Sequence, residues 1–488
     1  MSDSGFIRVF VDPALGSAAA LARRSVEQLL RISGWRAVEA EEPGAADLVY
    51  SPRGVEAFGA VLPSAGEAAW RNLATSHPVR IGDLVLPSRA VLPAECGGEP
   101  AIDVPLAAHF FLCGVHERDP QVHCSVDGIP DASIGRWGLL ECPVVDLLSQ
   151  RLAKHLTNAQ SLPTPAPRWP RGREWAVCLT HDCDRPFRYR AIGYLLDLRL
   201  AAQRRAWPLA TSRLLKAVYS GAMFGLRPDP YFSSWRSWTC LERQLGIRST
   251  FYIATWTRYQ RDADERDVGY SCDDRRIREL ATELANGGWE LGLHSSIRAW
   301  RRPAGFADEV ARFERAFRVR PSGFRGHYWS LDPVSPERSL QQAHEQAGFL
   351  YDSSFGMNLA FGYRRGTSLP YRPSDPASGK EVGLWEIPPT IMDGAALAAA
   401  SCPDRRKSLL RGLFEATKRR GGLLVLDWHE HSLASGVVLG ADLVEVLAEF
   451  AGDGTCWWTT PSAVVEWASK DRWSQQMKCD ASISSSPR

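Results

Sequence analysis

From residue 175 onward the sequence alternates short apolar runs with helical stretches. The runs are WAVCLT, STFYIAT, WELGLHSS, SGFRGHYW, LYDSSF, LWEIPPTI, GGLLVLDWHEH and TCWWTT. Between them stand amphipathic segments such as RRIRELATELANGG, FADEVARFERAF and ERSLQQAHEQAGF. Parallel strands cannot be joined by a tight turn and need a crossover, usually a helix, of about a dozen residues or more. The alternation therefore predicts βαβ units around a parallel sheet. Seven or eight such strands in about 300 residues predict closure into a barrel. One insertion breaks the rhythm, a long Arg-rich helical segment at about 190–222. Its Arg199, Arg204, Arg205, Arg213 and Lys216 read as a solvated helix face, or alternatively as a face toward an anionic polymer or membrane.

A chain of 488 residues is too long for one ordinary domain. The Pro-rich connector SLPTPAPRWPRG (161–172) suits a semi-rigid linker and marks the boundary. Residues 1–165, with FIRVFV, ADLVY and IGDLVL among amphipathic stretches, predict a smaller α/β accessory domain. Residues 170–472 form the barrel, and the polar tail 473–488 is expected to be disordered.

A net charge of +2 argues against a dedicated nucleic-acid binder. The eleven cysteines follow no framework and form no paired CxxC zinc pattern, which suits reduced thiols in the cytoplasm. No apolar run reaches the ~18 residues of a spanning helix. The start, MSDSGFIRVFVDP, shows neither the basic nor the apolar region of a signal peptide, so a cytoplasmic location is expected. Neither a P-loop, a GxGxxG fingerprint nor a GxSxG elbow is present, which removes support for nucleotide or serine-hydrolase chemistry.

In a parallel barrel the C-terminal strand ends line the site. Those ends carry His181, Asp182 and Asp184; His294; Arg325 and His327; and His429, Glu430 and His431. One carboxylate and two imidazoles suit Zn²⁺ with an open position, and a second carboxylate nearby can act as a base.

LTHDCD, LGLHSS, GFRGHYW, AGFLYDSSFG and LLVLDWHEH, in that order, resemble the motifs of polysaccharide deacetylases of the NodB-homology type, related to carbohydrate esterase family 4. The resemblance covers roughly residues 170–470. It extends to a long subgroup with an N-terminal accessory region, through FGYRRGTSLPYRP, AAHFFLCGVHERD and CPVVDLL. It implies a distorted (β/α)7-type barrel and a divalent metal, most simply Zn²⁺. The implied activity is removal of acetyl groups, N-acetyl first, from a sugar or polysaccharide of surface-glycan metabolism. It assigns Asp182 as base, Asp184 and His294 as metal ligands, Arg325 as the residue orienting the base, and His429 as acid. Asp352 falls where the family keeps a supporting Asp. Tyr328, Trp329, Asp352 and Arg364 are expected to contact substrate.

One position departs from that pattern. The second ligand His expected four residues after His294 is Arg298, and a guanidinium has no lone pair for a metal. His327 is the expected replacement and His181 the alternative. A degenerate glycan-binding protein, or a hydrolase of cyclic amides or ureides, are the other readings that the sequence leaves open.

Overall fold

The computed structural model describes residues 5–52, 59–93, 100–118, 133–159, 162–189, 191–203, 207–223, 228–437 and 439–469. The expected disordered tail, together with Arg204 and Arg205, lies outside the described residues.

The first unit is built on four parallel strands, β1 (Phe6–Val11), β2 (Arg36–Glu39), β3 (Leu48–Ser51) and β4 (Ala60–Pro63), in the order β2-β1-β3-β4. A separate hairpin, β5 (Pro78–Ile81) with β6 (Leu84–Pro87), is antiparallel. Helices Ala19–Ser33, Val104–Leu112 and Val144–Ala159 complete it. Asp103 caps the second of these through the Leu106 N–H and also accepts the Tyr50 hydroxyl, so one buried carboxylate ties helix to sheet.

The second unit holds the parallel strands β7 (Trp175–Cys183), β8 (Thr250–Ala254), β9 (Glu290–Ser295), β10 (Gly323–Gly326), β11 (Tyr351–Asp352), β12 (Trp385–Glu386), β13 (Ile391–Met392), β14 (Leu423–Asp427) and β15 (Cys456–Thr459). Their order is β12-β11-β10-β9-β8-β7-β14-β13, with β15 paired to the start of β7. All the ladders are parallel, as the alternation predicts, and the sheet curls as a half-barrel. The expected single strand LWEIPPTI is divided. Its halves are β12 and β13, at opposite ends of the hydrogen-bonded path. Between them Pro388 and Pro389 have no N–H to offer a ladder, so the chain itself spans the gap that hydrogen bonds leave open.

Strand alternation sorts the side chains. Trp175, Val177 and Leu179 of β7 pack outward in a core with Phe251, Leu293, Phe324 and Leu426 under the helices. Ala176 and Cys178 belong to a different core, shared with Tyr252, Tyr351 and Val425 and with Leu29, Phe111 and Leu148 of the first unit. The interior of the barrel is thus continuous with the accessory unit.

The Pro-rich connector is packed between the two units. The Trp35 indole donates to the Pro163 carbonyl, and the Trp169 indole donates to that of Gly421. A buried seam adds charge. Glu117 accepts both arms of the Arg364 fork at 3.0 Å, with Arg365 at 3.2 Å. Gly114, at φ 61°, has to be glycine, because a Cβ there would collide with the Arg365 guanidinium.

Candidate metal centre and its cavity

The alternation that buries Ala176 and Cys178 inside also directs Thr180, Asp182 and Asp184 inward, and it sends His181 out. His181 sits among Trp238 and Phe251, at ring distances of 4.7 and 4.6 Å. Its Nδ1 lies 2.7 Å from the Trp428 carbonyl and its Nε2 3.0 Å from Glu242. With both nitrogens engaged on the outer side, His181 is removed as the alternative ligand.

Parallel registry pairs Arg325 of β10 with His294 of β9, placing both at the same level of the mouth. Asp184 Oδ1 lies 3.0 Å from His294 Nε2, and Asp184 Oδ2 lies 3.4 Å from His327 Nε2. One donor atom from each of these three residues falls within 4.8 Å of the other two.

His327 reaches this position by a different route from simple alternation beyond Arg325. β10 ends at Gly326, and the chain turns through His327–Trp329 with Tyr328 and Trp329 both at φ 55°. Two consecutive left-handed residues are strained for side chains of that size. Gly326 permits the turn, since a Cβ there would press on the Ser330 backbone at 2.5 Å. Ser354 Oγ accepts the Gly326 N–H and in turn donates to Asp352 at 2.5 Å.

The donor set fits a divalent cation. The Nδ1–H of His294 donates to the Arg325 carbonyl at 3.1 Å, a contact that assigns the lone pair to Nε2. Asp184 Oδ1 and His294 Nε2 are buried and close, yet neither has a hydrogen-bond partner among the described residues. Buried polar atoms are ordinarily paired, and these two are free to donate to an ion. Burial alone would raise the Asp184 carboxyl, but His327, His294 and His429 around it hold it well below the usual carboxylate range. Burial likewise opposes a charged His327, but Asp184 and then Asp267 push its pKa up to about 9. The Asp267 carboxylate stands 3.5 Å from His327 Nδ1, on the side away from Asp184.

Asp182 is oriented from the opposite side. Arg325 donates to its Oδ1 at 2.9 Å and also binds Thr180 Oγ1, the Ser353 carbonyl and Ser353 Oγ. The second oxygen, Oδ2, stands 3.7 Å from His294 Nε2 and accepts no hydrogen bond among the described residues. Arg325 also lies 3.0 Å from Asp427, whose carboxyl is pushed well above its usual value by burial and by the charge of Asp182. Two residues beyond Asp427, past the end of β14, stands His429. Its Nδ1 lies 2.9 Å from Asp393 and its Nε2 3.4 Å from Asp184. Burial opposes its charged form, but Asp393 and Asp184 raise its pKa well above the ordinary imidazole value.

These groups open onto a cavity of about 240 Å³, lined in part by Asp182, Asp184, His327, Trp329 and His429. Tyr328 and Trp329 also border a neighbouring groove of about 710 Å³, with Trp300, Arg298 and Arg301 along it. Tyr328 is 42% exposed and Trp329 is buried. Arg298 turns from the metal site into this groove, 3.3 Å from Asp264.

Two of the expected substrate contacts are placed otherwise. Asp352 is completely buried, binds Ser354, and lines neither cavity. Burial raises Asp352 to about 6 against the lowering effect of its hydrogen bond with Glu386, while burial and Asp352 together raise Glu386 well above its usual value, so the proton of the pair belongs to Glu386. Arg364 reaches the groove, but its fork is committed to Glu117.

Sequence reasoning missed Asp427, Asp393 and Asp267, and it named Glu430 at the strand end without a role; Glu430 accepts the backbone N–H groups of Asp184 and Arg185. Asp427 was recoverable, because it alternates with His429 in LLVLDWHEH. Asp393 and Asp267 lie in segments with no periodic signal.

No family model and no curated protein matches the chain. Among solved structures it is similar to a Mycobacterium smegmatis protein described as a polysaccharide deacetylase, at 19% identity over 65% of this chain and 96% of that one, TM-score 0.41. It is similar to PuuE allantoinase at 14% identity over 63% and 95% of the two chains, TM-score 0.41. It is also similar to the Bacillus subtilis peptidoglycan deacetylase PdaC at 12% identity over 63% and 98%, TM-score 0.30.

Proposed function

We propose that this protein is a metal-dependent hydrolase that removes acetyl groups, N-acetyl first, from a carbohydrate. The observation that carries the proposal is the pairing of two differently held carboxylates at one cavity. Asp184 belongs with His294 and His327 in a three-donor set, and Asp182 stands beside it with one oxygen fixed by Arg325 and one uncommitted. A divalent cation, most simply Zn²⁺, held by Asp184, His294 and His327 supplies Lewis acidity toward a carbonyl oxygen and lowers the pKa of water.

The chain's own groups provide the rest. Asp182 Oδ2 takes the proton of the attacking water as its oxygen bonds to the acetyl carbon. Arg325 keeps Asp182 ionised and aimed. His429, held charged by Asp393, gives a proton to the departing nitrogen as the C–N bond breaks, leaving acetate and a free amine. Trp329 and Tyr328 border the cavity and offer apolar faces of the kind that stack on sugar rings. The groove beyond them, with Trp300 and Arg298, has room for further sugar residues.

The test is acetate release from a panel of N-acetylated and O-acetylated sugars and oligomers, using protein stripped of metal and then reloaded with Zn²⁺. The proposal expects release that depends on the metal, with acetamides preferred. Protein that binds Zn²⁺ stoichiometrically yet releases acetate from none of the panel, or opens cyclic amides instead, overturns it.

A further inference from the structure

The insertion after β7 forms two helices, Ala191–Gln203 and Trp207–Met223, packed against each other. Among the described side chains, their outer surface is rich in large apolar groups. On the second helix the buried positions among the described side chains are Ala210, Ala217 and Ser220. Leu214 (46% exposed), Leu215 (67%), Val218 (64%) and Tyr219 (56%) face out, along an arc of roughly 140° at 3.6 residues per turn. Leu195 and Leu196 of the first helix are also exposed. Six of the twelve large apolar side chains exposed among the described residues therefore lie on these two helices. Scattered exposed leucines need no explanation, whereas a concentration of this kind marks an interface.

Charge narrows the occupant. Arg185, Arg188, Arg199 and Lys216 are exposed on or beside the pair, and Arg213 is partly so. From Arg185 to Met223 the only acidic residue is Asp197. Its carboxylate is turned inward, 3.1 Å from Arg258 and accepting the Tyr259 hydroxyl at 2.8 Å. The outer surface thus combines large apolar side chains with cations and leaves no exposed anion. A second copy of the same face would set like charges against each other. A nucleic acid would leave the leucines unsatisfied. An anionic lipid surface meets both demands, taking the apolar arc into the acyl boundary and the cations among headgroups.

The pair is rooted at the site. Arg185 lines the small cavity, and the Arg188 guanidinium lies 6.0 Å from the Tyr231 ring, which in turn contacts His431 at 4.9 Å. We propose that this helical pair docks the protein on an anionic membrane surface, so that the cavity receives an acetylated sugar carried on a lipid. The substrate half of this rests on the proposed function, and the docking half does not.

Flotation of the full-length protein with vesicles tests the docking. Wild type is expected to float with vesicles of phosphatidylcholine mixed with phosphatidylglycerol, less with phosphatidylcholine alone, and less as salt rises. The double variant Leu215→Asp with Val218→Asp should lower partitioning at least about tenfold at an unchanged melting temperature, because two exposed apolar side chains no longer enter the bilayer boundary. Wild type that stays with the aqueous phase, or a dimer in light scattering that Leu215→Asp abolishes, overturns the docking. Acetate release is then compared between an acetamido sugar bearing a lipid tail and the same sugar without it, both with anionic vesicles present. Preference for the tailed sugar, lost in the double variant, supports the substrate half, and equal rates overturn it. Flotation without acetate release from any substrate overturns the proposed function and leaves the docking intact.

Discussion

Asp182 and Glu117 are both buried carboxylates paired with arginine, one at the barrel mouth and one at the seam with the accessory unit. Arg325 engages only one oxygen of Asp182. Arg364 closes its fork on both oxygens of Glu117, and Arg365 adds a further contact. A carboxylate held by both oxygens is a structural fixture, because its lone pairs are satisfied and a proton would have to displace a guanidinium. A carboxylate held by one oxygen keeps its orientation and can still accept a proton. The difference lies in how the arginine approaches: Arg325 is shared among Asp182, Thr180, Ser353 and Asp427, so no fork remains for one partner.

The largest effect that can break this comparison is at the mouth. Asp182→Asn is expected to lower kcat by about 10²–10⁴ with zinc content unchanged, since it removes proton acceptance and no ligand. Zinc lost as completely as in Asp184→Asn would show the division of the two carboxylates to be wrong. Next come the ligands themselves. Asp184→Asn, His294→Ala and His327→Ala should each lose zinc in equilibrium dialysis, whereas His181→Ala should keep it and only destabilise the outer core. Retained zinc in His327→Ala would return the third position to another residue.

At the seam the effect should be on stability. Glu117→Gln leaves buried guanidinium charge uncompensated and should cost about 3–5 kcal/mol in denaturant unfolding. Zinc affinity of the folded variant should not change, and a change would mean that the seam positions the site.

The pH dependence follows from the same residue. Its two arginines outweigh burial and hold Glu117 at about 2, below its ordinary 4.5. A folded pKa below the unfolded one contributes stability that is complete above pH 4.5 and is lost as pH falls toward 2. The loss amounts to about 3 kcal/mol. Glu117→Gln should flatten that acid limb.

The smallest effect is expected at Asp352, which lines neither cavity and whose partner Glu386 carries the proton of the pair. Asp352→Asn should change stability by within about 1 kcal/mol, and kcat on the preferred acetylated sugar should be unaltered. Because its folded pKa of about 6 lies above the ordinary 3.8, its contribution is present at low pH and weakens as pH rises through 6, opposite in sign to Glu117.

Much of the mouth could be read before folding, because a strand is a period-two object. Once Val177 and Leu179 are assigned to the outer core, Asp182 and Asp184 must share the inner face and His181 cannot join them. The same count along LLVLDWHEH puts Asp427 and His429 together. Asp352 misled for a related reason: its strand is two residues long, and Ser354 and Glu386 absorb the side chain before it can reach the cavity.

The sequence by itself determined the parallel α/β barrel, the inward rank of Asp182, Asp184, His294, Arg325 and His429, and the absence of a second histidine after His294. All of these depend on local periodicity or residue chemistry. Only the tertiary structure decided how His327 enters the site, through a turn with two left-handed residues that Gly326 makes room for. It alone placed Asp393 behind His429 and Asp267 beside His327, and joined the barrel interior to the accessory unit. It also split LWEIPPTI between two edges of one sheet. Each of these joins residues distant in the chain, or depends on a backbone conformation that solvent-exposed peptides would not hold. No pattern along one strand or helix encodes such a meeting; the packing of the rest of the protein does.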